Sequence, residues 1–245
     1  MKNELCRYRE IFPYKHNVVK ISNEHEYINA SWINFPYEKY FISSQGPKDF
    51  TIEDFWQMCF DYNVNVIVML CNLKEKEKEK CAAYWEIKNP KNFKICQIKN
   101  ITDNDINKDI IIKKEIVVEN LKDKKIKTIT HIHFTQWPDE DTPNIKNVVQ
   151  IFENVFKFVE IKKEKDPVVI HCSGGVGRTG TFEALYMLYN EIMNQINNNS
   201  NEKITFNIFN LVRKLKESRH YSVQTAKQYQ FIYYFIDELL KEKNN

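Results

Sequence analysis

Two kinds of hydrophobic pattern divide the chain. Up to about residue 135, apolar and β-branched residues come in short runs: EYINASWI, KYFISS, NVIVML, KICQI, DIIIKKEIVV and KIKTITHIHF. Runs this short, rich in Ile, Val, Thr and aromatic residues, predict β-strands. One segment breaks the pattern: between Thr51 and Tyr62, the residues Ile52, Phe55, Trp56, Cys59 and Phe60 recur at helical spacing. Beyond residue 140 the periodicity is mostly helical. Val148, Ile151, Phe152, Val155 and Val159 form one face of a helix that Asn144 is placed to cap. PVVIH reads as a short buried strand, and a helix follows from about Arg178 to Asn194. A polar loop at Asn197–Glu202 precedes two further amphipathic helices, Ile204–Lys216 and Ala226–Leu240. The expected fold class is α+β with α/β character: a twisted mixed β-sheet flanked by helices, with a loop of special composition between a central strand and a helix. With no internal repeat and no Gly/Pro/Ser-rich linker, one domain over residues 1–245 is the expectation.

Composition narrows the function. Of 245 residues, 42% are apolar and 13% aromatic, enough to fill a core and to exclude general disorder. No apolar run approaches the ~20 residues of a membrane-spanning helix. The start, MKNELCRYREIF, is charged and lacks an apolar signal core, so a cytoplasmic protein without membrane attachment is expected. The net charge is +3, and only Arg7, Arg9, Arg178, Arg213 and Arg219 are arginines, so no nucleic-acid partner is expected. The bias to Lys, Asn and Ile matches an AT-rich genome. Six cysteines without a CxxC pair point to a reducing compartment. Cys59, Cys71, Cys81 and Cys96 read as small core residues, and Trp32, Trp56 and Trp85 as core aromatics. His131 and His133 share a strand face. A metal pair there lacks an evident third ligand, so strand packing is the better reading and no metal is expected. KEKEKEK at 74–80 reads as a solvated turn between strands.

Glycine changes the picture most. The chain has five, and four of them are Gly174, Gly175, Gly177 and Gly180. They lie in His171-Cys172-Ser173-Gly174-Gly175-Val176-Gly177-Arg178-Thr179-Gly180, between an apolar strand and a helix. Strand, glycine loop and helix N-terminus make an anion cradle, in which backbone N–H groups point inward. Gly-Arg-Thr is not the Gly-Lys-Ser/Thr of a nucleotide P-loop, and the pattern is not GxGxxG. A cysteine opens this loop and an arginine ends it. Inward N–H groups, a helix N-terminus and a nearby guanidinium favour a thiolate, so Cys172 is the candidate nucleophile. Arg178 is placed to hold two oxygens of a phosphoryl group, and Ser173, Gly174, Gly175, Val176 and Gly177 supply the N–H donors. Thr179 is placed to donate its hydroxyl to the Cys172 sulfur. A phenolate leaving group needs a proton, and Asp139, after the stiff pair Trp137 and Pro138, is the candidate acid on a loop able to close.

These residues resemble the protein tyrosine phosphatase family, of the tyrosine-specific kind, over roughly Arg7 to Leu240. HCSGGVGRTG is similar to the family signature HCxxGxxR(S/T)G, and WPD at 137–139 resembles its acid loop. SSQGP, DFW, VIVML, KCAAYW and HFTQWPD are similar to further family blocks. The resemblance implies hydrolysis of phosphotyrosine in proteins through a cysteinyl phosphate, with no cofactor and a monomeric catalytic unit. It implies that Tyr8 stacks on the substrate ring and that Glu10 holds the substrate backbone. It also implies that Gln224 and Gln228 position water, that Glu75 pairs with Arg178, and that Lys80 reaches the acid loop.

The sequence departs from the family pattern at Asp141, where WPDxG has Gly. A stiffer or re-routed lid is expected, and Glu140 and Asp141 are expected to raise the Asp139 pKa by repulsion. Lys216 and Val18 replace frequent arginines, and Tyr221 occupies a rim position that is small in some members. Two alternatives therefore stand beside the enzyme: a phosphotyrosine-binding module whose lid does not close, and a dual-specificity or RNA 5′-phosphatase sharing the Cys-to-Arg loop. Cys6, near the expected pocket wall, is a candidate redox partner.

Overall fold

In the computed structural model, residues 2–34, 41–87, 90–101, 109–144, 146–160, 166–198 and 203–243 are described. In chain order the elements are helix α1 (Lys2–Leu5), strands β1 (Ala30–Ile33) and β2 (Phe41–Ser44), a 3-10 turn (Asp49–Thr51), α2 (Ile52–Asp61) and β3 (Val66–Met69). The hairpin β4 (Lys74–Glu75) and β5 (Lys78–Glu79) follows, then β6 (Phe93–Asn100), β7 (Ile111–Asn120) and β8 (Ile126–Phe134). The remainder is α3 (Val148–Glu160), β9 (Val168–His171), α4 (Gly177–Asn198), α5 (Ile208–Ser218) and α6 (Ala226–Lys243).

Seven strands form one sheet in the order β1-β2-β9-β3-β8-β7-β6. Its centre is parallel, β2 and β3 flanking β9 and β8 beyond β3, while both outer parts are antiparallel. This is the mixed, helix-flanked sheet expected from the sequence. Strands β2, β3 and β9 are buried at every residue, which is why they read as continuous apolar runs rather than alternating ones. Helices cover both faces. Phe41 of β2 meets Tyr186 of α4 at 5.3 Å between ring centroids, and His171 of β9 meets Phe55 of α2 at 5.7 Å. The first three turns of α4, Gly177 to Leu188, are buried throughout, so this helix runs through the core. Around it Phe152, Phe156, Phe182, Phe231 and Phe235 form an aromatic cluster that also takes in Trp137.

Several local expectations need correction. Helix α3 begins at Val148, too late for Asn144 to cap it; the carbonyl of Asn147, at φ 55, accepts the Ile151 N–H instead. Helix α5 starts at Ile208 rather than Ile204, because the Asn207 side chain accepts the Asn210 N–H at 2.9 Å and fixes the start there. Ile204 and Phe206 pack on the core from non-helical chain, which gave them their misleading periodicity. Helix α4 runs on to Asn198, and residues 199–202 of the expected polar loop lie outside the described residues, as do Lys39 and Tyr40 of KYFISS. KEKEKEK is itself the hairpin β4–β5, exposed apart from Glu75, which is partly buried, and Lys80, which is buried. Lys76 and Glu77 take φ 46 and 62, the left-handed pair that a tight two-residue hairpin demands. Cys96 is exposed on β6, a mostly solvated edge strand, and is not a core residue. Trp56 and Trp85 are buried and Trp32 is partly so.

Candidate active site

Ligand sites of open parallel sheets lie beyond the carboxyl ends of the strands, and β9 ends at His171, directly before Cys172. The segment 172–176 turns there and enters α4 at Gly177. How it turns follows from its carbonyls. That of Ser173 accepts the Gly46 N–H at 2.9 Å. Those of Gly174 and Gly175 accept from the Arg219 guanidinium at 3.1 and 2.7 Å. That of Val176 accepts the N–H groups of Gly180 and Val223 at 2.9 and 3.2 Å. In a trans peptide the following N–H points opposite to the carbonyl. With the carbonyls tied back into the protein, the N–H groups of residues 174 to 177 turn toward a common centre. One of them, that of Gly175, donates to the Cys172 Sγ at 3.3 Å. Gly175 has φ 71, and a Cβ there would lie 2.2 Å from the Ser44 carbonyl oxygen. Glycine is required at that position by both conformation and space.

Cys172 is 4% exposed and lies in the floor of a cavity of about 930 Å³. Arg178, in the first turn of α4, faces the same cavity. Its Nη1 donates to Glu75 Oε1 at 2.7 Å and to the Trp137 carbonyl at 2.8 Å, and its Nη2 to Asp139 Oδ1 at 3.1 Å. Burial alone lowers the Arg178 pKa, but the neighbouring Cys172 and Cys71 and the Glu75 carboxylate outweigh it and hold the group above its ordinary value. Lys80 also reaches Asp139. Burial opposes the charge on Lys80, and the Asp139 carboxylate overcomes that, raising its pKa.

The loop bearing Asp139 is docked. The Trp137 carbonyl sits on Arg178, and the Trp137 indole N–H donates to the Asp141 carbonyl at 3.0 Å. The expected re-routing of a lid without Gly takes another form: Glu140 adopts φ 57, and Asp141 pairs with Lys227 at 2.8 Å. That partner holds the Asp141 carboxyl below its usual range, so its charge is offset at the loop surface.

The remaining expected residues gather here, with one difference at Thr179. Tyr8 forms a wall: its hydroxyl lies 2.9 Å from Ser173 Oγ, and its ring lies over Gly174, where a Cβ would come within 3.5 Å of it. Glu10 is exposed at the rim, and Pro138, Asn144 and Gln224 also line the cavity. Gln228 is buried, and its side-chain oxygen accepts the N–H groups of Gln224 and Thr225 at 2.9 and 3.2 Å. Its carbonyl oxygen therefore shapes the loop that presents Gln224. Thr179 is fully buried, but its hydroxyl has no hydrogen-bond partner among the described residues, so the expected bond to Cys172 is not made. Cys6 lies apart from the cavity lining, with its sulfur 3.4 Å from the Tyr27 hydroxyl. His131 and His133 are spent on the Tyr84 hydroxyl and the Cys71 carbonyl, as strand packing implies.

Three supporting residues, Arg219, Tyr84 and Arg7, were not singled out from the sequence, whereas His171, which Tyr84 holds, was. Arg219, fully buried, holds two cradle carbonyls and is itself held by Asn29 Oδ1 at 2.8 Å and Ser31 Oγ at 3.0 Å. Burial pushes its pKa down to about 10, so it stays charged. The Tyr84 hydroxyl meets His171 Nε2 at 2.9 Å and so fixes the residue before Cys172. Burial pushes His171 down to about 3, leaving it neutral. Arg7 holds the Gly46 and Pro47 carbonyls. Scarcity was the available signal for Arg7 and Arg219, although it does not set them apart from Arg9 and Arg213, which are exposed.

Comparison with known proteins identifies relatives of this chain. A sequence model described as protein-tyrosine phosphatase matches residues 2–238. Tyrosine-protein phosphatase 2 of Dictyostelium discoideum is 38% identical over 216 residues, covering 88% of this chain and 55% of that protein. Tyrosine-protein phosphatase non-receptor type 20 of Rattus norvegicus is 34% identical over 241 residues, covering 96% and 54%. The chain thus spans about half the length of these curated relatives. A solved structure of PTPN18 superposes with a TM-score of 0.81 at 24% identity, covering 96% of this chain and 82% of that one, a likeness of fold.

Proposed function

The chain belongs to the protein-tyrosine phosphatase family, and we propose that it hydrolyses phosphotyrosine in proteins through a covalent phosphoryl group on Cys172. The observation that carries this reading is the convergence of the Cys172 sulfur, the Arg178 guanidinium and the Asp139 carboxylate on one cavity with a floor of N–H donors. The substrate phosphate lies in the cradle of residues 173–178, with its ring against Tyr8. The sulfur attacks phosphorus, the bond from phosphorus to the phenol oxygen breaks, and Asp139 gives that oxygen its proton. The charge on the transferring group is met by the cradle N–H groups and Arg178. In the second step Asp139 takes a proton from a water beside Gln224. The water oxygen attacks phosphorus, and the S–P bond breaks to return thiolate and phosphate.

Turnover, rather than capture alone, is supported by the docked acid loop, since Asp139 already contacts Arg178. Aromatic over aliphatic substrates are supported by the Tyr8 wall. PTPN18, whose fold the chain shares, has been solved in complex with HER2 phosphopeptides. The test compares a phosphotyrosine peptide with a phosphoserine peptide and an RNA 5′-triphosphate, in wild type and Cys172→Ser. The expected result is hydrolysis of the phosphotyrosine peptide alone, lost by roughly 10⁴-fold or more in Cys172→Ser while peptide binding survives. Equal rates for the two proteins, or preference for another substrate, rejects the proposal.

A further inference from the structure

Building on that catalytic reading, we propose that Asp141 and Lys227 are positioning residues whose ion pair ties the acid loop to the start of α6, where Gln228 holds the loop bearing Gln224, keeping Asp139 and Gln224 in the cavity together. Asp141 Oδ2 lies 2.8 Å from Lys227 Nζ. The rest of residue 141 is also engaged: its Oδ1 accepts the Thr142 N–H at 2.9 Å, and its carbonyl accepts the Trp137 indole N–H at 3.0 Å. The acid loop is therefore anchored on either side of Asp139. On one side the Trp137 carbonyl rests on Arg178; on the other the Asp141 carboxylate rests on Lys227. Lys227 immediately precedes Gln228, whose side chain holds the backbone of Gln224.

The position of Lys227 is informative by itself. It sits in the first turn of α6, which contains no acidic residue. A helix N-terminus disfavours a cation. The Asp141 carboxylate offsets that cost, because it brings negative charge both to the lysine and to the helix end. Lys227 and the Thr142 N–H in turn hold the Asp141 carboxyl below its usual range. Both partners are largely open to water, so the tie is weak. A solvated ion pair of this kind changes a loop equilibrium by about twofold to fivefold. That is enough to adjust how often the acid is in place without locking the loop against product release.

The test uses Asp141→Asn, Lys227→Gln, the double variant and the charge-swapped pair D141K/K227D. At low ionic strength each single variant is expected to lower kcat on a phosphotyrosine peptide about twofold to fivefold, with KM nearly unchanged. The double variant does no worse than the poorer single, the swapped pair recovers, and all differences fade near ~1 M salt, where the Debye length is about 3 Å. Hydrogen exchange of the amides of residues 137 and 139–142, which needs no turnover, rises by the same factor in each single variant. Unchanged kcat and exchange in the single variants, or a double variant that loses the product of the two single effects, overturns the proposal. Should the wild-type protein fail to hydrolyse phosphotyrosine, the catalytic reading falls while the exchange measurement still reports on the tie.

Discussion

Glu183 is the residue the fold accommodates least comfortably. It is fully buried on α4; one carboxyl oxygen accepts from Ser43 Oγ and the other has no partner among the described residues. Burial pushes its pKa up to about 8, against the pull of the Ser43 hydroxyl and Arg219. Ser43 pairs with Ser31 across β1 and β2, and Ser31 Oγ accepts from the arginine that holds the cradle. The carboxyl is thus three side chains, Ser43, Ser31 and Arg219, from the Cys172 loop. Its folded pKa lies above the unfolded value of 4.5, so the folded state binds the extra proton. The stability it contributes is complete below 4.5 and is lost as pH rises toward 8. At pH 7 the loss is on the order of 3 kcal/mol. Glu183→Gln is therefore expected to raise the unfolding midpoint at pH 8 and to change it little at pH 5, as read by thermal melts across that range. A variant with the same pH slope as wild type contradicts this assignment.

At the scale of elements, strand β9, the loop 172–176 and helix α4 act as one unit. Its geometry is set by glycines whose roles differ. At Gly175 an added methyl meets a backbone carbonyl at 2.2 Å on a left-handed backbone; at Gly174 it meets the tip of the Ile11 side chain at 3.0 Å, which can move aside. Gly175→Ala is accordingly expected to cost about 1–3 kcal/mol and to abolish oxyanion binding. Gly174→Ala is expected to fold normally and keep measurable affinity for inorganic vanadate, so titration of both variants checks the distinction. This unit was legible in the sequence because its chemistry is concentrated: a chain that otherwise almost avoids glycine places four of five between Cys172 and Thr181. The boundaries of α3 and α5 were less legible. Apolar spacing continues past a helix end wherever extended chain still packs on the core, as at Ile204 and Phe206. Cys96 misled for a related reason, since a strand pattern does not reveal that its strand lies at the sheet edge.

At the scale of the whole molecule, the site is an assembly of six separated segments. Those around Tyr8, Gly46, Glu75, Asp139 and Gln224 meet the Cys172 loop at one end of the parallel strands. The glycine loop and the Trp-Pro-Asp segment pointed to Cys172, Arg178 and Asp139 from the residues themselves, family resemblance added Tyr8, Glu75, Lys80 and Gln224, and all seven line the one cavity. What hydrophobic pattern and motif do not encode is the support behind them: Arg219 reaching the cradle from the end of α5, Tyr84 bridging two histidines, and Lys227 meeting Asp141. These contacts depend on tertiary closure, and only the arginine carries even a compositional hint. The account as a whole turns on phosphorus passing through sulfur. The most direct measurement is an acid quench during turnover of a phosphotyrosine peptide, followed by mass spectrometry of the Cys172 peptide. The account predicts a phosphoryl group on Cys172, appearing with the first release of the dephosphorylated peptide and missing in Cys172→Ser. Steady hydrolysis with no phosphoryl group on Cys172 at any quench time, or with it on another residue, would contradict it.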